Sequence, residues 1–378
     1  MERFTGEHMR IKWIEFENLD TGLKIEHIDF YDDVTLLVGL SGVGKTQILN
    51  AVSYSLALAM RHIILHPCSA ILGVEINEDI YEWSYKIELN PNDDIIMDND
   101  EECIITEEKL VKNNTIIFER NKHQVNVIGY KKVPQPKKEE SLLLQYSDDK
   151  EFEPLISGLR KLYSIEIELA VRGGIQSESF NSYKTRVNNT IRNNKSVDFK
   201  LFSHLPVMLK IYIAKRYYPE LYVKIFDAVK ELFMEVQDFD VEEDSSREMY
   251  LICMTVYGKK LMQNDISSGM LKTIYYIVEL FTMSDNSLVM IDEFENGLGV
   301  NCIDLLSELL LSERKDLQFI ITSHHPKIIN SIPKEKWKII DRKVGTVINS
   351  DFDMYGIGNS QHDAYFNLIN RWEYEGKI

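Results

Sequence analysis

The sequence predicts an α/β fold organised around a phosphate-binding loop, with a β-rich N-terminal section and a helical insertion. Three observations predict it: a glycine-rich loop between an apolar run and a helical stretch, short β-patterned runs through the first third, and strand–helix alternation that returns after residue 249. The loop is Gly39-Leu40-Ser41-Gly42-Val43-Gly44-Lys45-Thr46, which matches G-x-x-x-x-G-K-[ST] at every fixed position. Before it, 34–38 (VTLLV) reads as a buried strand; behind it, the stretch from Gln47 to Leu58 reads as a helix. Glycines let backbone N–H groups turn onto phosphate oxygens without a Cβ in the way. The helix that follows adds its positive N-terminal end. Lys45 suits the β- and γ-phosphates, and the Thr46 hydroxyl suits Mg²⁺. In this context the pattern predicts binding of a nucleoside triphosphate.

The other elements follow in order. Alternation in 9–19 and 23–30 predicts two strands ahead of the loop strand. Segments 70–76 and 80–89 read as a hairpin turning at Asn77-Glu78-Asp79, and 115–119 with 124–128 as a second pair. The acidic segment 94–102 lacks the central glycine of an EF-hand loop and reads as a solvated hairpin tip. Prolines and charges in 133–140 read as a linker. Beyond it, 152–162 and 205–233 read as helical, with Pro154, Pro206 and Pro219 near their boundaries. The division drawn from this pattern is 1–140 and 246–345 as the two parts of the phosphate-binding domain, 141–245 as the helical insertion, and 346–378 as a C-terminal extension.

Composition narrows the class. The chain has 378 residues, is 44% hydrophobic and carries a formal net charge of −17. Nucleic-acid-gripping domains are usually basic, so this charge disfavours autonomous DNA binding and suits a protein partner. No apolar stretch is long enough for a bilayer, and the first residues lack the apolar segment of a signal peptide, so a cytoplasmic protein without a membrane partner is expected. Four scattered cysteines with no C-x-x-C pair fit a reducing compartment.

A second set of residues lies downstream. Ser287-Leu288-Val289-Met290-Ile291-Asp292-Glu293 is an apolar strand ending in two carboxylates. Asp292 suits support of Mg²⁺ and Glu293 suits orienting or deprotonating a water, although the pair taken alone is equally a helix cap. Ser268 and Gly269 open an apolar helical stretch and suit an anion, although taken alone they read more readily as an ordinary N-cap. Residues 317–321 form another apolar run leading into Thr322-Ser323-His324-His325-Pro326, where a histidine at a strand's C-terminal edge can hydrogen-bond a γ-phosphate, although a lone one is more often structural.

In this order and spacing the pieces resemble the ABC-type ATPases, in the branch that holds the SMC, RecF and OLD-like proteins. Twenty-four positions separate Ser268 from Asp292 and 31 separate Glu293 from His324. The run Asp292-Glu293-Phe294-Glu295-Asn296-Gly297-Leu298 is similar to the stand-alone ATPases of bacterial antiphage systems of the Septu-, PARIS- or retron-associated type. The resemblance implies an ABC-type fold, ATP and Mg²⁺ as ligands, and ATP hydrolysis. It implies that Lys45 and Thr46 hold phosphate and metal, that Asp292 supports the metal, that Glu293 is the catalytic base, and that His324 senses the γ-phosphate. It further implies that Ser268 and Gly269 touch the γ-phosphate held by a second copy, so that ATP closes a homodimer or higher oligomer. The partner expected from it is a separate effector protein, a nuclease, with direct action on DNA in the manner of RecF proteins as the alternative.

Departures from the family pattern are Ser41 where relatives carry Asn, Ser267-Ser268-Gly269-Met270 in place of S-G-G-Q, and Gly299 at the usual D-loop acidic position. Gln145 is the candidate for the family's Q-loop glutamine. His62 and His66, four apart on the expected helix, lack a companion carboxylate motif and carry no metal reading. Asp351-Phe352-Asp353 is similar to the acidic pair of a nuclease domain, but 25 residues are too few to follow it with one. Lys184, Arg186, Arg192, Lys195 and Lys200, with Tyr183 and Phe199, form a candidate phosphate-tracking patch whose plainer reading is a solvated or partner-docking face.

Overall fold

In the computed structural model the described residues are 8–90, 103–130, 133, 136–147, 149, 152–159, 162–164, 173–193, 197–352 and 361–374. The acidic segment 94–102, Lys195 and Asp353 lie outside them. The chain divides into two compact units, one of Met1–Ser164, Asn286–Glu293 and Asp316–Ile378, the other of Ile165–Asp285 and Phe294–Lys315.

In chain order the first unit opens with β1 (Met9–Asn18), β2 (Lys24–Asp29), β3 (Val34–Val38) and α1 (Lys45–Met60), then β4 (Cys68–Ile76) and β5 (Asp79–Leu89). It continues with β6 (Cys103–Lys112), β7 (Thr115–Arg120), β8 (Val125–Val127), α2 (Leu142–Gln145), α3 (Glu153–Leu159) and β9 (Leu162–Ser164). The second unit holds β10 (Ile175–Gln176), α4 (Ser177–Asn193), α5 (Val207–Tyr217), α6 (Pro219–Leu232), β11 (Val236–Asp244), β12 (Met249–Val256), β13 (Lys259–Met262) and α7 (Ser268–Thr282). After them come β14 (Leu288–Ile291) in the first unit and α8 (Val300–Glu308) in the second. The first unit closes with β15 (Gln318–Thr322), α9 (Pro326–Ser331), β16 (Trp337–Lys343), β17 (Thr346–Asp351) and α10 (Gln361–Tyr374).

A 13-stranded sheet organises the first unit in the order β8-β7-β6-β5-β4-β1-β2-β17-β16-β3-β15-β14-β9. Its β8-to-β2 half is an antiparallel wing, while β16, β3, β15, β14 and β9 run parallel. Parallel strands are covered on both faces and therefore read as unbroken apolar runs. All residues of β3, β14 and β15 are buried. The wing instead alternates, and its hairpins turn at Asn77-Glu78 and Asn113-Asn114, pairs that both hold positive φ. That is the geometry a two-residue hairpin of this twist requires. Helix α1 lays Ile48, Leu49, Val52 and Leu56 into the core beside Leu142, Leu143, Leu155 and Ile156, each contributing about 1.5–3 kcal/mol by burial.

Several elements differ from the expectations. Strand β6 occupies a region between the acidic segment and 115–119 to which the sequence pattern assigned no element. Its Glu107 and Glu108 break the apolar pattern, because Glu108 is an inward position neutralised by the buried Arg120. Strand β17, assigned to a C-terminal extension, lies mid-sheet, antiparallel to β16 and parallel to β2. Helix α1 ends at Met60, so His62 and His66 are not on it. His62 Nδ1 lies 3.5 Å from Glu140 and His66 sits against Tyr54. Residues 142–159, drawn into the insertion, belong to the first unit.

The second unit is not purely helical. Strand β12 pairs with β10, β11 and β13 to make a small antiparallel sheet. Helices α5 and α6 part at Pro219, the first residue of α6, where a missing N–H costs nothing. Helix α7 is capped by Ser267, whose Oγ accepts from the Met270 N–H at 3.2 Å. The buried Lys210 of α5 bonds Glu279 of α7 at 2.6 Å.

Candidate active site

The P-loop leaves β3 at its carboxyl edge and enters α1 through Gly44, which holds φ 114°. A Cβ on Gly44 would stand 2.5 Å from a Val347 methyl, and one on Gly39 would stand 2.4 Å from the Ile340 carbonyl oxygen. The loop is thus moulded by β16 and β17 as well as by its own sequence. Gly39→Ala must push backbone against backbone, so it is expected to cost about 1–3 kcal/mol, as overpacking does. A melting midpoint equal to that of the wild type would refute the close approach.

Lys45 is buried, and its Nζ donates to the Gly39 and Leu40 carbonyls at 2.8 and 2.9 Å. Its ammonium therefore lies inside the loop's own curve. Val43 belongs to the core, whereas Ser41, Gly42, Gly44, Lys45, Thr46 and Gln47 line a cleft of about 360 Å³ with Asp292, Glu293, Thr322 and His324. The Gln47 Oε1 is buried there with no hydrogen-bond partner among the described residues. An unsatisfied buried acceptor beside a P-loop is an opening for a ligand or its water.

Sheet order explains the convergence. Strand β15 lies between β3 and β14, so the carboxyl ends of three neighbouring parallel strands meet at the cleft. Ligands of open α/β sheets bind outside such ends. The Thr46 hydroxyl donates to Asp292 Oδ2 at 2.7 Å, and the Thr322 hydroxyl donates to Oδ1 at 2.5 Å. The Glu293 N–H donates to Thr322 Oγ1 at 2.7 Å. Glu293 holds φ 45°, a left-handed conformation that costs a non-glycine residue about 1–3 kcal/mol and clusters at functional sites.

Two adjacent histidines are sorted by their surroundings. His325 caps α9, its Nδ1 accepting from the Lys327 N–H at 3.2 Å. His324 is half-buried and lines the cleft. Thr322 is the residue that sequence reasoning did not single out. Its signal was a polar side chain closing an otherwise apolar strand, two residues before the histidine.

Other candidates lie elsewhere. Ser268 and Gly269 open α7 in the second unit, where a Cβ on Gly269 would stand 3.1 Å from the Gly297 oxygen and Lys272 bonds the Asn296 carbonyl. Gln145 uses its amide locally, bonding Lys137 N and O and the Glu140 carbonyl. Of the basic patch, Lys200 pairs with Asp285, Lys184 lies over the Tyr212 ring, and Arg186 and Arg192 are exposed. Asp351 pairs with Lys338 at 2.6 Å. Among the described residues no group of three or more His, Cys, Asp and Glu is placed to hold a metal, and no helix is long and apolar enough to cross a membrane.

Comparison with known proteins gives the following. The family model described as "AAA domain, putative AbiEii toxin, Type IV TA system" matches residues 34–330. The chain is similar to the chromosome partition protein Smc of Methanocaldococcus jannaschii, at 24% identity over 165 residues, which is 40% of this chain and 14% of that protein's length. Similar solved structures include the SmcHead bound to the C-winged helix domain of ScpA, at 12% identity and a TM-score of 0.47, covering 92% of this chain and 99% of that one. The SMC head domain from Thermotoga maritima follows at 12% identity and a TM-score of 0.44, covering 90% of this chain and 98% of that one.

Proposed function

Because the chain belongs to the AAA domain family whose model spans 34–330, we propose that it hydrolyses ATP with Mg²⁺, closes into a dimer on ATP and thereby regulates a separate effector in antiphage defence. One observation carries the catalytic part: Lys45, Thr46, Asp292, Glu293 and His324 converge on a single cleft. Lys45 would hold β- and γ-phosphate oxygens in place of the loop carbonyls it now bonds, and the loop's N–H groups with the start of α1 would hold the rest. A hydroxyl and a carboxylate already 2.7 Å apart, Thr46 and Asp292, are hard oxygen donors that fit Mg²⁺. They would hold the ion, which supplies charge neutralisation on the phosphates when bound. The Glu293 carboxylate would take the proton of the attacking water, and His324 would bond the γ-phosphate.

The dimer rests on Ser268 and Gly269. They open a helix of the second unit, and in this reading a second copy presents them to the γ-phosphate. The defence setting is supported by the family description, with its toxin of a toxin–antitoxin system. A separately encoded nuclease is the proposed effector, and a cytoplasmic setting goes with it. The repair alternative has less support, since Lys184 and Lys200 are engaged within the unit.

Phosphate release and ATP titration test the reading together. Lys45→Ala is expected to weaken ATP binding roughly 10- to 150-fold, the loss of a charge-assisted hydrogen bond of about 1.5–3 kcal/mol. No ATP-dependent phosphate release by the wild type, or equal ATP affinity in the variant, would overturn it.

A further inference from the structure

We propose that Thr322 is a positioning residue of this site, one hydroxyl that sets both Asp292 and Glu293. The proposal rests on the ATPase reading and adds to it a residue outside the loop and its two carboxylates. A threonine hydroxyl has one proton to give and lone pairs to accept with. Here the proton goes to Asp292 Oδ1 at 2.5 Å, and a lone pair takes the Glu293 N–H at 2.7 Å.

Its place in the sheet makes this possible. Thr322 ends β15, the strand between the P-loop strand and β14, and it is fully buried. From there a single oxygen reaches the side chain of the residue that follows β14 and the backbone of the next. The two oxygens of Asp292 are thus gripped from two directions, by Thr322 on β15 and by Thr46 on α1. Thr46 is the grip that a metal would take over. Thr322 is the grip that stays, because its proton and its accepting pair already serve protein groups.

The second half of the role concerns Glu293. A β-carbon at φ 45° is disfavoured, so something must hold the residue there. The bond from its amide to Thr322 ties that turn to a buried strand end. Loss of the hydroxyl leaves the Glu293 carboxylate chemically intact but lets its backbone relax, which shifts where the carboxylate points. A residue acting in this way moves turnover without moving nucleotide affinity to the same degree.

The test compares wild type, Thr322→Val, which keeps the volume without the hydroxyl, and Thr322→Ser, which keeps the hydroxyl. Three quantities are read: amide hydrogen exchange at Glu293 without nucleotide, kcat and KM for ATP, and the melting midpoint. For Thr322→Val the expectation is exchange at least about tenfold faster and kcat lower by about 10- to 100-fold, with KM within about threefold. Thr322→Ser should return exchange and kcat to near wild-type values, and neither midpoint should move by more than a few degrees. Equal kcat and exchange in Thr322→Val overturns the proposal, and so does a serine variant as impaired as the valine one. A valine variant that melts far below wild type, with turnover and nucleotide affinity falling in step, marks a structural residue and also overturns it. A wild type without turnover defeats the ATPase reading instead, and Glu293 exchange in the three proteins still decides the role of Thr322.

Discussion

Glu293→Gln is expected to slow ATP hydrolysis by roughly 10²- to 10⁴-fold, the range that a general base contributes, while leaving ATP binding within a few-fold of wild type. Glutamine keeps the shape of the side chain and removes its ability to take a proton. The backbone contacts of residue 293 do not involve the carboxylate: its N–H donates to Thr322 Oγ1, and its φ of 45° is set by that turn. Asp292 keeps both threonine partners in the variant. The geometry that would hold phosphate and metal should survive, and only the proton acceptor is lost. If ATP closes two copies and hydrolysis reopens them, the variant should also accumulate as an ATP-bound dimer. Phosphate release gives the first quantity and light scattering with and without ATP gives the second. Unchanged turnover would remove Glu293 from its role. Slow turnover without a larger dimer fraction would separate the base from the assembly cycle.

How much of this could be read from the residues depends on what each element buries. The strands around the cleft were legible because they are covered on both faces: Val34–Val38, Leu288–Ile291 and Gln318–Thr322 are wholly buried and show it as apolar runs. The loop was legible because phosphate chemistry requires glycines, a lysine and a hydroxyl at set places. Strand Cys103–Lys112 was hidden because one inward position is Glu108. A buried carboxylate looks polar in sequence however deeply its partners enclose it. Strand Val236–Asp244 does alternate, but a register shift between Val236 and Asp238 breaks the phase and acidic residues fill its outer face. Thr322 was passed over for a different reason. Its role lies in two hydrogen bonds to residues thirty and twenty-nine positions away, and no local pattern records a contact of that range.

The ion pair that hid β6 leads to the second large effect. Arg120→Met is expected to lower the free energy of unfolding by about 3–5 kcal/mol, as removal of one partner of a buried pair does. The Glu108 side chain has no exposed surface, and Arg120 Nη2 bonds its Oε2 at 2.6 Å. Trp83 Nε1, Ser141 Oγ and the Leu142 N–H also donate to it, at 3.1, 2.6 and 2.9 Å. Those neutral donors would remain, but the buried negative charge would lose its counter-charge. Arg120 also donates to the Lys137 and Glu140 carbonyls at 3.0 and 3.1 Å, so methionine removes those two bonds as well and leaves both oxygens with the Gln145 amide. The segment they belong to leads into Leu142 and Leu143, which share the core with Ile48 of the P-loop helix. Loss of the pair should therefore loosen the strap across the wing before it loosens the parallel strands. Adding Glu108→Gln to Arg120→Met should recover part of the loss, because the uncompensated charge goes with it. Denaturant unfolding of the two single variants and the double variant gives the coupling directly. A loss under about 1 kcal/mol in Arg120→Met would place the pair with surface bridges and leave the neutral donors to Glu108 as what holds the strap.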